Sequence, residues 1–141
     1  MGYHRSFWLT LVFILIVLGL SFVLVLPASA EASVDFSLRY WARRYSLDEH
    51  KFVWLAYLES SLDPTKTGAA GEHGLTQFMP ETWYWTWELM GVEEIPSFEQ
   101  AFDPWLNAQA AAYMIHRGYG WLWFTYELCG LGLPTEGLGC L

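Results

Sequence analysis

Hydrophobic residues along this chain fall into two regimes. From Phe7 to Leu26 they are almost uninterrupted, and beyond Glu31 they break into short stripes at helical spacing, separated by proline, glycine and small polar residues. Asp35 to Tyr45 reads as a first short helix, with Phe36, Tyr40 and Trp41 on its inner side. Ser46-Leu47-Asp48-Glu49 fits a capping box, Ser46 at the N-cap and Glu49 at N3. It predicts a second helix running to about Leu62 and stopping at Asp63-Pro64, because the residue before proline avoids helical dihedrals. Thr65 to Gly74 is a loop. Pro80 suits the first turn of a third helix that Gly91 ends. Asp103-Pro104 repeats the signal for a fourth, through Ala108, Ala111, Ala112 and Ile115 to Gly118, and Trp121 to Leu128 reads as a final helical segment. No internal repeat or strand-like alternation is present, so the expected fold class is all-α, with about five helices in residues 31–141.

The leading apolar run changes where this domain is expected to reside. His4 and Arg5 precede it, and Pro27 with Ala28-Ser29-Ala30 follow, as in an export signal cleaved before Glu31. The run is also long enough, at about 20 residues or ~30 Å of helix, to span a bilayer as a retained anchor. Residues 1–30 are therefore expected to be a signal peptide or membrane anchor. Residues 31–141 are then an exported domain: periplasmic, extracellular, or held on the outer membrane face through residues 7–26.

With 141 residues, 54% hydrophobic and 16% charged, the chain has room for one domain and too much apolar surface for disorder. Its formal charge of −8 becomes about −9 once Arg5 leaves with the leader, which argues against a nucleic-acid partner. Cys129 and Cys140 are either joined by a disulfide around a glycine-rich loop or left as two unpaired thiols. Their spacing, with no histidine nearby, disfavours a metal site, and no cofactor is expected.

The second helix carries the most informative position. Phe52, Leu55 and Ala56 form an apolar stripe, and Glu59 lies seven, four and three residues after them, which turns its carboxylate inward. A carboxyl shielded from water keeps its proton to higher pH, as a general acid requires. The alternative is a boundary glutamate whose head sits in solvent.

The residues that follow narrow the choice. Glu59-Ser60-Ser61-Leu62-Asp63-Pro64 leads into Gly68-Ala69-Ala70-Gly71-Glu72-His73-Gly74-Leu75-Thr76-Gln77-Phe78-Met79-Pro80-Glu81-Thr82-Trp83. This resembles the signature of the soluble lytic transglycosylase (SLT), goose-type lysozyme-like family: E-S, an apolar residue and a proline, then G-x-x-G-L-x-Q-x-M-P-x-T. Phe102-Asp103-Pro104, Asn107 and Ala110 to Tyr113 resemble the family's later F-D-P-x-x-N-x-x-A-x-x-Y helix, so the likeness covers about residues 48–130.

The resemblance implies a small lysozyme-like domain acting on peptidoglycan glycan strands. Glu59 would be the single acid and base that cleaves the N-acetylmuramic acid to N-acetylglucosamine bond and leaves 1,6-anhydro ends. It further implies that Ser60 orients substrate or carboxylate, that Gln77 contacts N-acetyl groups, and that Met79 lines the groove. Tyr126 is the nearest counterpart of a tyrosine in the family's late A-Y-N-x-G motif, here altered to Tyr126-Glu127-Leu128-Cys129-Gly130. Gly71 and Gly74 are expected to serve tight turns. Two other departures are Gly68, where the family often has serine, and Glu72, where it often has alanine. Glu72 and His73 are read as solvated loop residues, the alternative being that they tune the site or contact peptide. Most tryptophans are expected in the core. Trp83, Trp85 and Trp87 cannot all face one way on a helix, so at least one should be exposed. Two alternatives stand beside the transglycosylase: a hydrolytic muramidase, and an inactive peptidoglycan-binding component of a wall-spanning machine such as a secretion or pilus assembly.

Overall fold

A computed structural model describes residues 30–131. The chain divides into two units, Met1–Ala30 and Glu31–Leu141. Residues 1–29 of the expected leader and Cys140 lie outside the described residues. Within them are five α-helices: α1 (Ala30–Arg44), α2 (Glu49–Ser60), α3 (Pro80–Met90), α4 (Pro104–His116) and α5 (Phe124–Leu128). Two 3-10 turns, Phe98–Phe102 and Gly120–Leu122, join them, and the described residues contain no strand, only isolated bridges. No helix among the described residues is long and apolar enough to cross a membrane.

The inner face of α1 differs from the sequence expectation. Val34, Leu38 and Ala42, spaced by four, are buried, whereas Phe36 and Tyr40 are exposed. The smaller aliphatic stripe packs on the core. The aromatics gather at its rim around Trp105, whose ring centroid lies 4.8 Å from Tyr40 and 5.0 Å from Trp41. The start of α2 is corrected as well. Asp48 is the N-cap, its carboxylate accepting from the Lys51 N–H at 3.0 Å, while Ser46 has a left-handed backbone (φ 58°) that cannot serve as the cap. At the other end α2 stops at Ser60, before the predicted Leu62, because Ser61 and Leu62 both turn left-handed (φ 60° and 63°).

The proline and glycine signals locate α3 as expected, from Pro80 to the left-handed Gly91 (φ 68°). Asp103 caps α4, accepting from the N–H groups of Trp105 and Leu106 at 2.9 and 3.0 Å. The helix ends two residues before Gly118, at His116. The last expected helix is broken at Trp123, whose indole is drawn inward to donate to the Thr76 carbonyl at 2.6 Å.

The core is assembled around α4, where Ala108, Ala110, Ala111, Ala112 and Met114 are fully buried. Their short side chains let neighbours approach closely, and larger anchors fill the space: Phe52 and Leu55 of α2, Leu75 and Phe78 of the connecting loop, and Trp83 of α3. Each such anchor contributes about 1.5–3 kcal/mol by leaving water. Trp83 also satisfies its indole N–H on the carbonyls of Pro96 and Ser97. On α3, Trp83 and Trp87 face in and Trp85 faces out, as the alternation requires. Cys129 is buried within the same core.

Candidate active site

Glu59 occupies the last turn of α2, the first stretch of chain after the buried stripe Phe52, Leu55 and Ala56. Its side chain is half-buried. The Thr125 hydroxyl, from the first turn of α5, donates to Glu59 Oε1 at 2.5 Å. Burial raises the carboxyl's pKa above the ordinary glutamate value. The Thr125 hydrogen bond and the positive charge of Lys66 oppose that rise, and the negative charge of Glu72 adds to it. Desolvation dominates, so the net direction is upward.

The loop between α2 and α3 is organised from the same corner. Lys66 Nζ donates to the Glu59 carbonyl at 2.7 Å, placing a cation on the C-terminal end of α2 where carbonyls lack helical partners. The Lys66 carbonyl in turn accepts from the Gly74 N–H at 2.9 Å and from Gln77 Nε2 at 3.2 Å. His73 and Phe78 exchange backbone hydrogen bonds at 2.9 and 3.0 Å, which folds Gly74–Gln77 into a tight turn. Gly74 has φ +79°, and a Cβ there would stand 2.1 Å from the Ala101 carbonyl oxygen, so only glycine fits.

Gln77 is left-handed (φ 52°), and its amide also donates to the Gly74 carbonyl at 2.8 Å. Its Oε1 lies toward Gly68, 2.7 Å from where a Cβ would stand. Lys66 thus links Glu59 and Gln77 through successive hydrogen bonds, although they are 18 positions apart in sequence.

The other sequence candidates fall as follows. Ser60 is buried, and its hydroxyl donates to the Ala56 carbonyl one turn back at 3.0 Å. Met79 is exposed, at the extended N-cap position just ahead of α3. Tyr126 is half-buried, its ring pressed on Gly120, and burial raises its phenol's pKa. The residue from this segment that donates to Glu59 is its neighbour Thr125.

Glu72 and His73 are partly buried rather than fully solvated. The imidazole of His73 is stacked between the rings of Phe98 and Phe102, each centroid 4.1 Å away, with its Nδ1 buried. The Glu72 carboxylate accepts from the Ala70 N–H at 2.9 Å and fills the space above Gly68, 2.2 Å from a hypothetical Cβ. Lys66 and Thr125 were both missed from sequence. A lysine seven residues beyond an inward glutamate at a helix end offered a weak signal. Thr125 offered none, because 66 positions separate it from its partner.

Comparison with curated proteins and with solved structures found no match. A family model does match: that of the transglycosylase SLT domain, over residues 36–122. This range holds Glu59, Ser60, Lys66, Gln77 and Met79 and stops short of Thr125 and Tyr126. Since the matched span is more than half of the sequence and contains the E-S and G-L-x-Q-x-M-P segments folded around one carboxyl, the chain belongs to the transglycosylase SLT domain family.

Proposed function

We propose that this domain is a peptidoglycan lytic transglycosylase in which Glu59 acts as acid and then as base. Family membership implies a lytic transglycosylase acting on peptidoglycan. The observation supporting the finer reading is the half-buried carboxyl of Glu59, with its pKa raised by desolvation and one oxygen hydrogen-bonded. Protonated, it donates to the bridging glycosidic oxygen as the C1–O4 bond breaks. The resulting carboxylate takes the proton of the muramoyl 6-hydroxyl as that oxygen bonds to C1. The proton count closes, and no water enters. Gln77, already oriented by Lys66 and Gly74, and the exposed Met79 would face the sugar. Ser60, its hydroxyl engaged by Ala56, would act by shaping the end of α2. With residues 1–30 as leader or anchor, the enzyme would work outside the cytoplasm.

Mass spectrometry of muropeptides released from purified sacculi tests this reading. Anhydro ends, lighter by one water than reducing ends, are expected from the wild type, and Glu59→Gln should release none. If both proteins bind sacculi and neither cleaves, the inactive binding component is the correct reading.

Hydrolysis is a second reading, and Glu72 favours it: a second carboxylate acts electrostatically on Glu59 from across the loop. Were Glu72 to activate a water, products would carry reducing ends, and Glu72→Gln would abolish them.

A further inference from the structure

The hydrogen bond from Thr125 has a consequence for how the carboxyl holds its proton. A protonated carboxyl has one carbonyl-like oxygen, a good acceptor, and one hydroxyl oxygen, a poor one. With Thr125 donating to Oε1, that oxygen takes the carbonyl-like role and a proton on this carboxyl would reside on Oε2. Among the described residues no other hydrogen bond and no ion pair reaches this carboxyl. Tyr126, whose ring lies against Gly120, makes no hydrogen bond to it among those described.

We propose that Thr125 is a positioning residue that commits Oε2 of Glu59 to proton transfer. This rests on reading Glu59 as the acid and base. When Oε2 gives its proton to the leaving oxygen, the Thr125 bond becomes charge-assisted and stronger, stabilising the anion. Oε1 stays occupied, so the proton of the 6-hydroxyl returns to the same atom that released the first. A single oxygen serves both half-reactions without a rotation of the carboxyl. The charges acting on Glu59 from the packed elements are Lys66 and Glu72, both on the loop, and α5 supplies the uncharged hydroxyl. Glu127, on α5 itself, is exposed.

The test is kcat and KM on soluble peptidoglycan strands across pH, for the full chain and for Thr125→Val, Thr125→Ser and Glu59→Gln. Valine keeps the shape and removes the donor. Thr125→Val should lower kcat on the order of tenfold with KM nearly unchanged. It should also move the alkaline limb of kcat to higher pH, because the ionised form loses its hydrogen bond. Thr125→Ser should restore both properties. Wild-type kcat and pH profile in a folded Thr125→Val protein would overturn the proposal, as would a Thr125→Ser protein that behaves like Thr125→Val. Full activity in Glu59→Gln would instead bring down the underlying acid–base reading, a separate result.

Discussion

Thr76 gives both its backbone N–H and its hydroxyl proton to one acceptor, Asn107 Oδ1, at 3.1 and 2.8 Å. The amide end of Asn107 donates to the carbonyls of Ala101 and His73 at 2.8 and 3.3 Å. A fully buried side chain on α4 thereby fastens the loop that carries Gln77 to the turn before α4, with every polar atom engaged. Asn107→Leu keeps the volume but leaves both Thr76 donors and the Ala101 carbonyl without these partners, while the His73 carbonyl keeps the Phe78 N–H. It should cost about 3 kcal/mol or more in denaturant unfolding. Adding Thr76→Val should recover part of that loss, and simple additivity of the two substitutions would show that the bonds contribute nothing.

Gly74 lies under the same clamp. Alanine there would require φ +79° and would drive Cβ to 2.1 Å from the Ala101 carbonyl and 2.5 Å from Asn107 Nδ2. Both are rigid neighbours. Gly74→Ala should therefore destabilise the domain by about 3 kcal/mol or more, whereas Gly71→Ala, with nothing near its Cβ, pays only the left-handed backbone term of about 1–2 kcal/mol. Thermal melts of the two variants side by side decide it.

The raised pKa of Glu59 sets the sign of a pH effect on stability. A carboxyl whose folded pKa lies above its unfolded value binds more protons when folded, so stability falls as pH rises between the two values. Its penalty is absent below the ordinary glutamate range and complete above the folded pKa. Glu59→Gln should thus be more stable than wild type at neutral pH, with the advantage gone at pH ~4. Chemical denaturation at both values measures this, and an advantage equal at both would refute a titrating origin.

Two departures from the family pattern are coupled in space. Glu72 Oε2 occupies the place that a side chain at position 68 would need, 2.2 Å from its Cβ, and Gln77 Oε1 is the next atom at 2.7 Å. Gly68→Ser should displace the Glu72 carboxylate from the Ala70 N–H and disturb Gln77. Activity on sacculi should fall in Gly68→Ser alone and return in Gly68→Ser with Glu72→Ala. If the pair is no better than the single variant, the two positions are independent.

The parts of this architecture legible in the sequence were those written in local chemistry. Pro80 and Gly91 bracket α3, Asp103-Pro104 opens α4, and the spacing of Phe52, Leu55, Ala56 and Glu59 turns the acid toward the core. What escaped depends on geometry between distant segments. Large aromatic rings suggested the wrong face for α1, because size was taken for burial while Val34, Leu38 and Ala42 made the tighter contact. A polar pair, Glu72 and His73, looked solvated until Phe98 and Phe102 closed on the imidazole. Thr125 was hidden for a related reason: Tyr126 matched a pattern, and only the fold shows which of two adjacent side chains reaches Glu59.

Helix α5 is five residues long and buries none of its own side chains, being steadied by Trp123 at its start and by Lys51 Nζ on the Gly130 carbonyl beyond its end. The environment of Glu59 is therefore closed on one side by a helix of little more than one turn. Loss of that helix would remove the Thr125 hydrogen bond and open Glu59 to water, the two local features that set this carboxyl apart from an ordinary one.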